Sequence, residues 1–121
     1  MARHVLVIDD SDIVRSVMCM ALQQAGYEVH AAEDGQAALD LLDGRPLDTI
    51  VCDVSMPRLD GLGFLQALRA NAVYGRVPVL MLTTDGRTVT KGAARDGGAQ
   101  AYLTKPCKPG VFVDAVNRLC A

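Results

Sequence analysis

The sequence predicts a three-layer α/β domain, in which a five-stranded parallel sheet is covered on both faces by five helices. Three observations carry this. Short β-branched runs free of charge recur at His4–Ile8, from Thr49 toward Asp53, and at 77–82; sheets covered by helices on both faces lose the in/out alternation of polarity, so such runs read as buried strands. Between them, apolar residues recur every three to four positions, the spacing of a helix with one buried face. The connections are short, which favours parallel strands joined by right-handed crossovers.

The elements follow in order. His4-Val5-Leu6-Val7-Ile8 is a strand ended by Asp9-Asp10, and Ser11 or Asp12 caps the next helix, whose inward face is Val14, Met18 and Leu22 and whose end is Gly26. A second strand runs from Tyr27 to Ala31. Glu33-Asp34-Gly35 turns into a helix with Ala38, Leu39 and Leu42 inward, ending near Gly44 and Pro46. The third strand, Thr49-Ile50-Val51-Cys52-Asp53, carries no charge until Asp53, and Pro57 cannot continue its ladder.

A loop through Asp60-Gly61 leads to a third helix with Phe64, Leu65 and Leu68 on its apolar face. Val77-Pro78-Val79-Leu80-Met81-Leu82 is the fourth strand and ends in Thr83-Thr84. The helix after it is interrupted or bracketed by Gly86, Gly92, Gly97 and Gly98, each of which costs helix stability, so mobility is expected there. Ala101-Tyr102-Leu103 is a short fifth strand, Lys105-Pro106 a turn, and Val111, Ala115 and Leu119 the inward face of a last helix.

At 121 residues, half of them apolar, the chain reads as one domain over 1–121. The formal charge is −2 and the basic residues are dispersed, which argues against direct nucleic-acid binding and against a polybasic membrane patch. Met1-Ala2-Arg3-His4 runs straight into an apolar strand too short for a signal-peptide core or a membrane span, so a cytoplasmic location is expected. Cys19, Cys52, Cys107 and Cys120 form no Cys-x-x-Cys pair and no ligand spacing with His4 and His30; all four read as reduced thiols, with Cys52 buried.

In open α/β sheets, ligands bind beyond the carboxyl ends of the strands. The polar residues there are Asp9, Asp10, Asp53, Thr83 and Lys105. Singly, each has a plain structural explanation: a helix N-terminus for the aspartates, a strand-end hydroxyl for Thr83, a solvated turn for Lys105. Jointly they converge on one edge. Three carboxylates held together repel, and a hard divalent cation with oxygen ligands, Mg2+ or Mn2+ in its place, relieves that repulsion. A metal, a spare carboxylate, an ammonium and a hydroxyl are what phosphoryl transfer to a carboxylate requires.

Val7-Ile8-Asp9-Asp10-Ser11, Asp53-Val54-Ser55-Met56-Pro57 with Asp60-Gly61, Leu82-Thr83, and Tyr102-Leu103-Thr104-Lys105-Pro106 together resemble the receiver domains of two-component response regulators, including the single-domain chemotaxis type. The resemblance covers nearly the whole chain. It implies a flavodoxin-like fold with strand order 2-1-3-4-5. It further implies that Asp53 is the phosphoacceptor, that Asp10 and the Ser55 carbonyl join it around Mg2+, and that Asp9 acts on the metal through water. Lys105 would contact the phosphoryl group, Thr83 would hydrogen-bond it, and Tyr102 would report the change by its rotamer. Ser55, Thr84 and Asp85 are the positions expected to tune how water reaches the acyl phosphate.

The partners so implied are a sensor histidine kinase or histidine phosphotransfer domain and an output protein. The output would dock on the helix after the fourth strand, the fifth strand and the last helix, where Arg87, Lys91, Arg95, Lys108 and Arg118 would suit an acidic helix. A monomer or a phosphorylation-linked dimer fits this reading, which expects self-phosphorylation and dephosphorylation but no turnover of an independent substrate. Cys107 stands where the family commonly has Phe.

A second class competes. Asp10-Ser11-Asp12-Ile13-Val14 also fits the signature of haloacid-dehalogenase-like phosphohydrolases, with Asp10 as nucleophile, Asp12 as general acid, and Thr83 and Lys105 in later roles. That family needs a further acidic motif after the lysine, and the only carboxylate beyond Lys105 is Asp114, in the middle of the last helix. A flavodoxin-type cofactor binder is disfavoured because Asp9-Asp10 would repel a phosphate.

Overall fold

The computed structural model describes residues 3–53, 61–83, 99–104 and 108–120. Five strands, β1 His4–Ile8, β2 Glu28–Ala32, β3 Thr49–Asp53, β4 Val79–Thr83 and β5 Ala101–Thr104, form one sheet in the order β2-β1-β3-β4-β5. Every ladder is parallel. The helices among the described residues are α1 Asp12–Gln24, α2 Gly35–Asp40, α3 Gly61–Arg69 and α4 Pro109–Cys120. The glycine-rich helix expected between β4 and β5 lies outside the described residues.

β3 and β4 are buried along their whole length, as charge-free runs in the middle of a covered sheet must be. Alternate residues feed two cores. Leu6, Ile8, Ile50, Cys52, Val79 and Met81 meet Ala38 of α2 and Phe64, Leu65 and Leu68 of α3. Val5, Val7, Val51, Leu80 and Leu82 meet Met18 and Leu22 of α1 and Phe112 and Val116 of α4. The sheet is thus the middle of three layers.

Local chemistry sets the helix ends. Ser11 caps α1, its Oγ accepting the Val14 N–H at 3.2 Å, and Gly26 takes the left-handed conformation (φ +97°) that lets the chain leave the helix. Asp34 caps α2 by accepting the Ala37 N–H at 2.8 Å. Cys19, Cys52 and Cys120 are free thiols. Burial pushes the Cys19 thiol above its ordinary range, with the nearby Arg15 opposing the shift. Cys107 lies outside the described residues.

Some boundaries differ from the sequence reading. β2 starts at Glu28 rather than Tyr27, because the Tyr27 N–H closes the end of α1 by donating to the Leu22 carbonyl at 3.0 Å. β4 starts at Val79; Pro78 has no N–H to give, and its carbonyl takes the Ile50 N–H at 2.9 Å. α2 stops at Asp40, so Leu42 packs on the core from beyond the helix. The chain is turned there by Gly44 (φ +103°), whose N–H donates to the Tyr74 hydroxyl at 2.8 Å while that hydroxyl donates to the Arg45 carbonyl at 2.7 Å. On α4 the buried residues are Phe112 and Val116, with Ala115 and Leu119 half-buried, and Val111 is 49% exposed. The larger Phe112 ring takes the inward position because it removes more apolar surface from water.

Candidate functional site at the carboxyl edge of the sheet

Ile8 pairs with Cys52, so one step further along both strands come Asp9 and Asp53, side by side at the carboxyl edge. Both are buried, whereas Asp10 is exposed. One carboxylate oxygen from each of Asp9, Asp10 and Asp53 can be chosen so that all lie within 4.8 Å of one another. Like charges brought this close repel one another. The donor set is all hard oxygen on a partly open edge, and it fits Mg2+, which takes one or two carboxylates and keeps its remaining positions for water and phosphoryl oxygens.

The turn carrying Asp9 and Asp10 is fixed on several sides. The Asp9 N–H extends the β1–β2 ladder by donating to the Ala32 carbonyl at 3.1 Å. Asp9 Oδ1 accepts the Ser11 N–H at 2.9 Å. Arg15 reaches back from α1 and donates through Nη1 to the Asp9 carbonyl at 2.7 Å, while its Nη2 pairs with the Asp12 carboxylate.

Thr83 is buried at the end of β4, one step beyond Leu82, the register partner of Asp53. It therefore belongs to the same edge as the carboxylates. Tyr102 lies on the outer strand β5 opposite Met81 and is 38% exposed, so it is not a plain core residue. Ser55, Thr84, Asp85 and Lys105 lie outside the described residues, as do Arg87, Lys91 and Arg95.

Two features go beyond the sequence reading. Arg15 belongs to no motif; its signal is the three-residue spacing from Asp12 on a helix that starts beside the acidic turn. α1 also exposes Ile13 (78%), Val17 and Met20 at helical spacing, an apolar stripe adjacent to the buried one and starting three residues from Asp10. In the sequence this second stripe is visible as apolar residues at 13, 17 and 20 beside those at 14, 18 and 22.

A parallel sheet in this order, with its acidic cluster at the carboxyl edge, defines a flavodoxin-like doubly wound domain. The chain belongs to the response regulator receiver domain family, whose model matches residues 5–117. Among solved structures it resembles the chemotaxis protein CheY4 of Vibrio cholerae, at 36% identity and a TM-score of 0.94, covering 98% of this chain and 99% of that one.

Among curated proteins it is 41% identical over 103 residues to the response regulator MprA of Mycolicibacterium vanbaalenii, covering 85% of this chain and 44% of MprA. It is 35% identical over 117 residues to the phosphate regulon transcriptional regulatory protein PhoB of Klebsiella pneumoniae, covering 97% of this chain and 51% of PhoB. The chain thus spans about half the length of these curated relatives. The phosphohydrolase alternative draws no support from these matches. Among the described residues, no helix is long and apolar enough to cross a membrane.

Proposed function

We propose that this chain is a phosphorylation-controlled switch in which Asp53 accepts a phosphoryl group from a histidine kinase or histidine phosphotransfer protein. The observation that carries the reading is the convergence of Asp53 with Asp9 and Asp10 at the sheet edge of a receiver-family chain. An Asp53 carboxylate oxygen attacks phosphorus, the new O–P bond makes an acyl phosphate, and the P–N bond to the donor imidazole breaks with its electron pair left on nitrogen. Asp10, Asp53 and the Ser55 carbonyl would hold Mg2+, with Asp9 acting on it through water, and the ion would offset charge on the phosphoryl oxygens. Lys105 supplies further positive charge and Thr83 a hydrogen bond to the product.

The output is a changed surface. The phosphoryl oxygens draw Thr83 and Lys105 toward them, and Tyr102, partly exposed on the outer strand, redistributes between two packings. The segment between β4 and β5, β5 and α4 then present a different face to an output partner in the cytoplasm. Ser55, Thr84 and Asp85 tune hydrolysis, with Thr84 shielding the acyl phosphate from water. A phosphodonor must bring its phosphohistidine beside Asp53, and the exposed stripe Ile13, Val17 and Met20, starting three residues from Asp10, offers a helical surface of that donor an apolar seat.

The test is incubation with Mg2+ and acetyl phosphate or phosphoramidate, followed by mass spectrometry of the adduct. The expected result is one phosphoryl group on Asp53, absent from Asp53→Asn. A stable adduct on Asp10, or multiple turnover of phosphate esters, overturns the reading.

A further inference from the structure

We propose that Arg15 is a positioning residue for the acidic cluster: its guanidinium clamps the Asp9 carbonyl and so holds the Asp9 and Asp10 carboxylates in the arrangement that binds Mg2+. The inference rests on the metal-binding reading of the site given above. Nη1 donates to the Asp9 carbonyl at 2.7 Å, and Nη2 is held by Asp12. The Arg15 side chain is largely covered, whereas Asp12 is open to solvent, so the buried contact is the one to Asp9.

The Asp9 carbonyl belongs to the planar peptide joining Asp9 to Asp10. Fixing its oxygen fixes the plane and the direction in which the Asp10 Cα leaves it. Asp9 is also tied at its N–H, by Ala32, and at Oδ1, by Ser11. The Ser11 bond closes a turn across the Asp9–Asp10 peptide from the carboxylate side, and Arg15 holds the carbonyl oxygen of that same peptide. Asp10 is exposed, and its carboxylate makes no hydrogen bond among the described residues. Its place in the cluster therefore depends on the backbone, which Arg15 holds together with the Ser11 turn.

Charge makes the proposal separable from a simple neighbour effect. A guanidinium near a cation site repels the cation, so if Arg15 acted only through its charge, removing it would tighten Mg2+ binding. If Arg15 positions the turn, removing it loosens the ligand set and weakens binding. The two mechanisms have opposite signs.

The experiment measures Mg2+ affinity by calorimetric titration of the wild type, Arg15→Gln and Arg15→Lys, with thermal unfolding of each in chelator. The expected loss for Arg15→Gln is about tenfold, in the range for residues that orient metal ligands. Arg15→Lys keeps the charge and can reach the Asp9 carbonyl, but cannot bond Asp12 at the same time, so its affinity falls in between. With acetyl phosphate, the Mg2+ concentration for half-maximal phosphorylation of Arg15→Gln rises by a similar factor while the rate at saturating Mg2+ is retained. Unchanged or tighter Mg2+ binding by Arg15→Gln, or by Arg15→Lys if the first variant does not fold, overturns the clamp alone. A wild-type chain that binds no Mg2+ overturns the reading of the site as well.

Discussion

At the scale of single residues, the most informative titrating group lies in the middle of β2, the edge strand, opposite Leu6. His30 of β2 stacks on His4 of β1, with ring centroids 5.5 Å apart, planes 17° apart, and His4 Nδ1 3.3 Å from His30 Nε2. Arg45 Nη1 is 3.4 Å from His30 Nδ1, and Arg45 is itself gripped by Asp43 through bonds of 2.9 and 2.8 Å that hold the Asp43 carboxyl down at about 2. Burial lowers the His30 pKa below its ordinary 6.5; Arg45 and His4 add to this, and Glu28 and Asp43 oppose it more weakly.

The folded state therefore resists protonation of His30, and the unfolded chain binds more protons in that window. Stability is full above about 6.5, falls as pH drops from there through the lowered folded value, and then levels off. Urea unfolding at a series of pH values between 5 and 8 should show this slope, and His30→Asn should flatten it. In the proposed switch, Thr84→Ala should shorten the lifetime of the acyl phosphate, measured as loss of the phosphorylated mass after the donor is removed. An unchanged lifetime would dismiss Thr84 as a shield.

At the scale of elements, α4 and α1 each show which of two adjacent apolar stripes is used. Phe112→Ala should cost about 3–5 kcal/mol of stability, because a fully buried ring leaves a cavity between α4 and the sheet. Val111→Ala, at a half-exposed position, should cost less than about 1 kcal/mol. Denaturant midpoints of the two variants check the contrast. On α1, Met18 and Leu22 face the core while Ile13, Val17 and Met20 face outward. Val17→Asp should slow phosphoryl transfer from a protein donor by at least tenfold and leave phosphorylation by acetyl phosphate unchanged, since the small donor has no need of the helix. Equal slowing with both donors would mean that the substitution damages the site.

At the scale of the whole molecule, the proposed cation would join the buried Asp9 and Asp53 carboxylates at the edge of the sheet. Mg2+ at a hundred times its dissociation constant should stabilise the chain by about 2.7 kcal/mol, a rise in melting temperature of roughly 10 °C for a domain of this size. Chelator should reverse the rise, and Asp53→Asn should abolish most of it. Calorimetry with and without Mg2+ decides this; no shift would count against the metal site.

Much of this molecule is determined by the sequence alone. Charge-free β-branched runs this short, bounded by turn residues, read as strands covered on both faces, and the residues that end them, Asp9, Asp10, Asp53 and Thr83, then fall at the carboxyl edge of a parallel sheet. Ser11 announces the start of α1 through chemistry local to the chain. The face of α4, the early end of α2, the contact of His4 with His30 and the grip of Arg15 on Asp9 were decided only by the tertiary structure. Helical periodicity says that an apolar stripe exists, but which of two adjoining stripes is buried depends on the volume that neighbouring layers leave to fill. Side chains 26 residues apart meet only once the strand register is set. The direction of a peptide carbonyl, on which the reach of Arg15 depends, is a property of the folded turn that no spacing of residue types encodes.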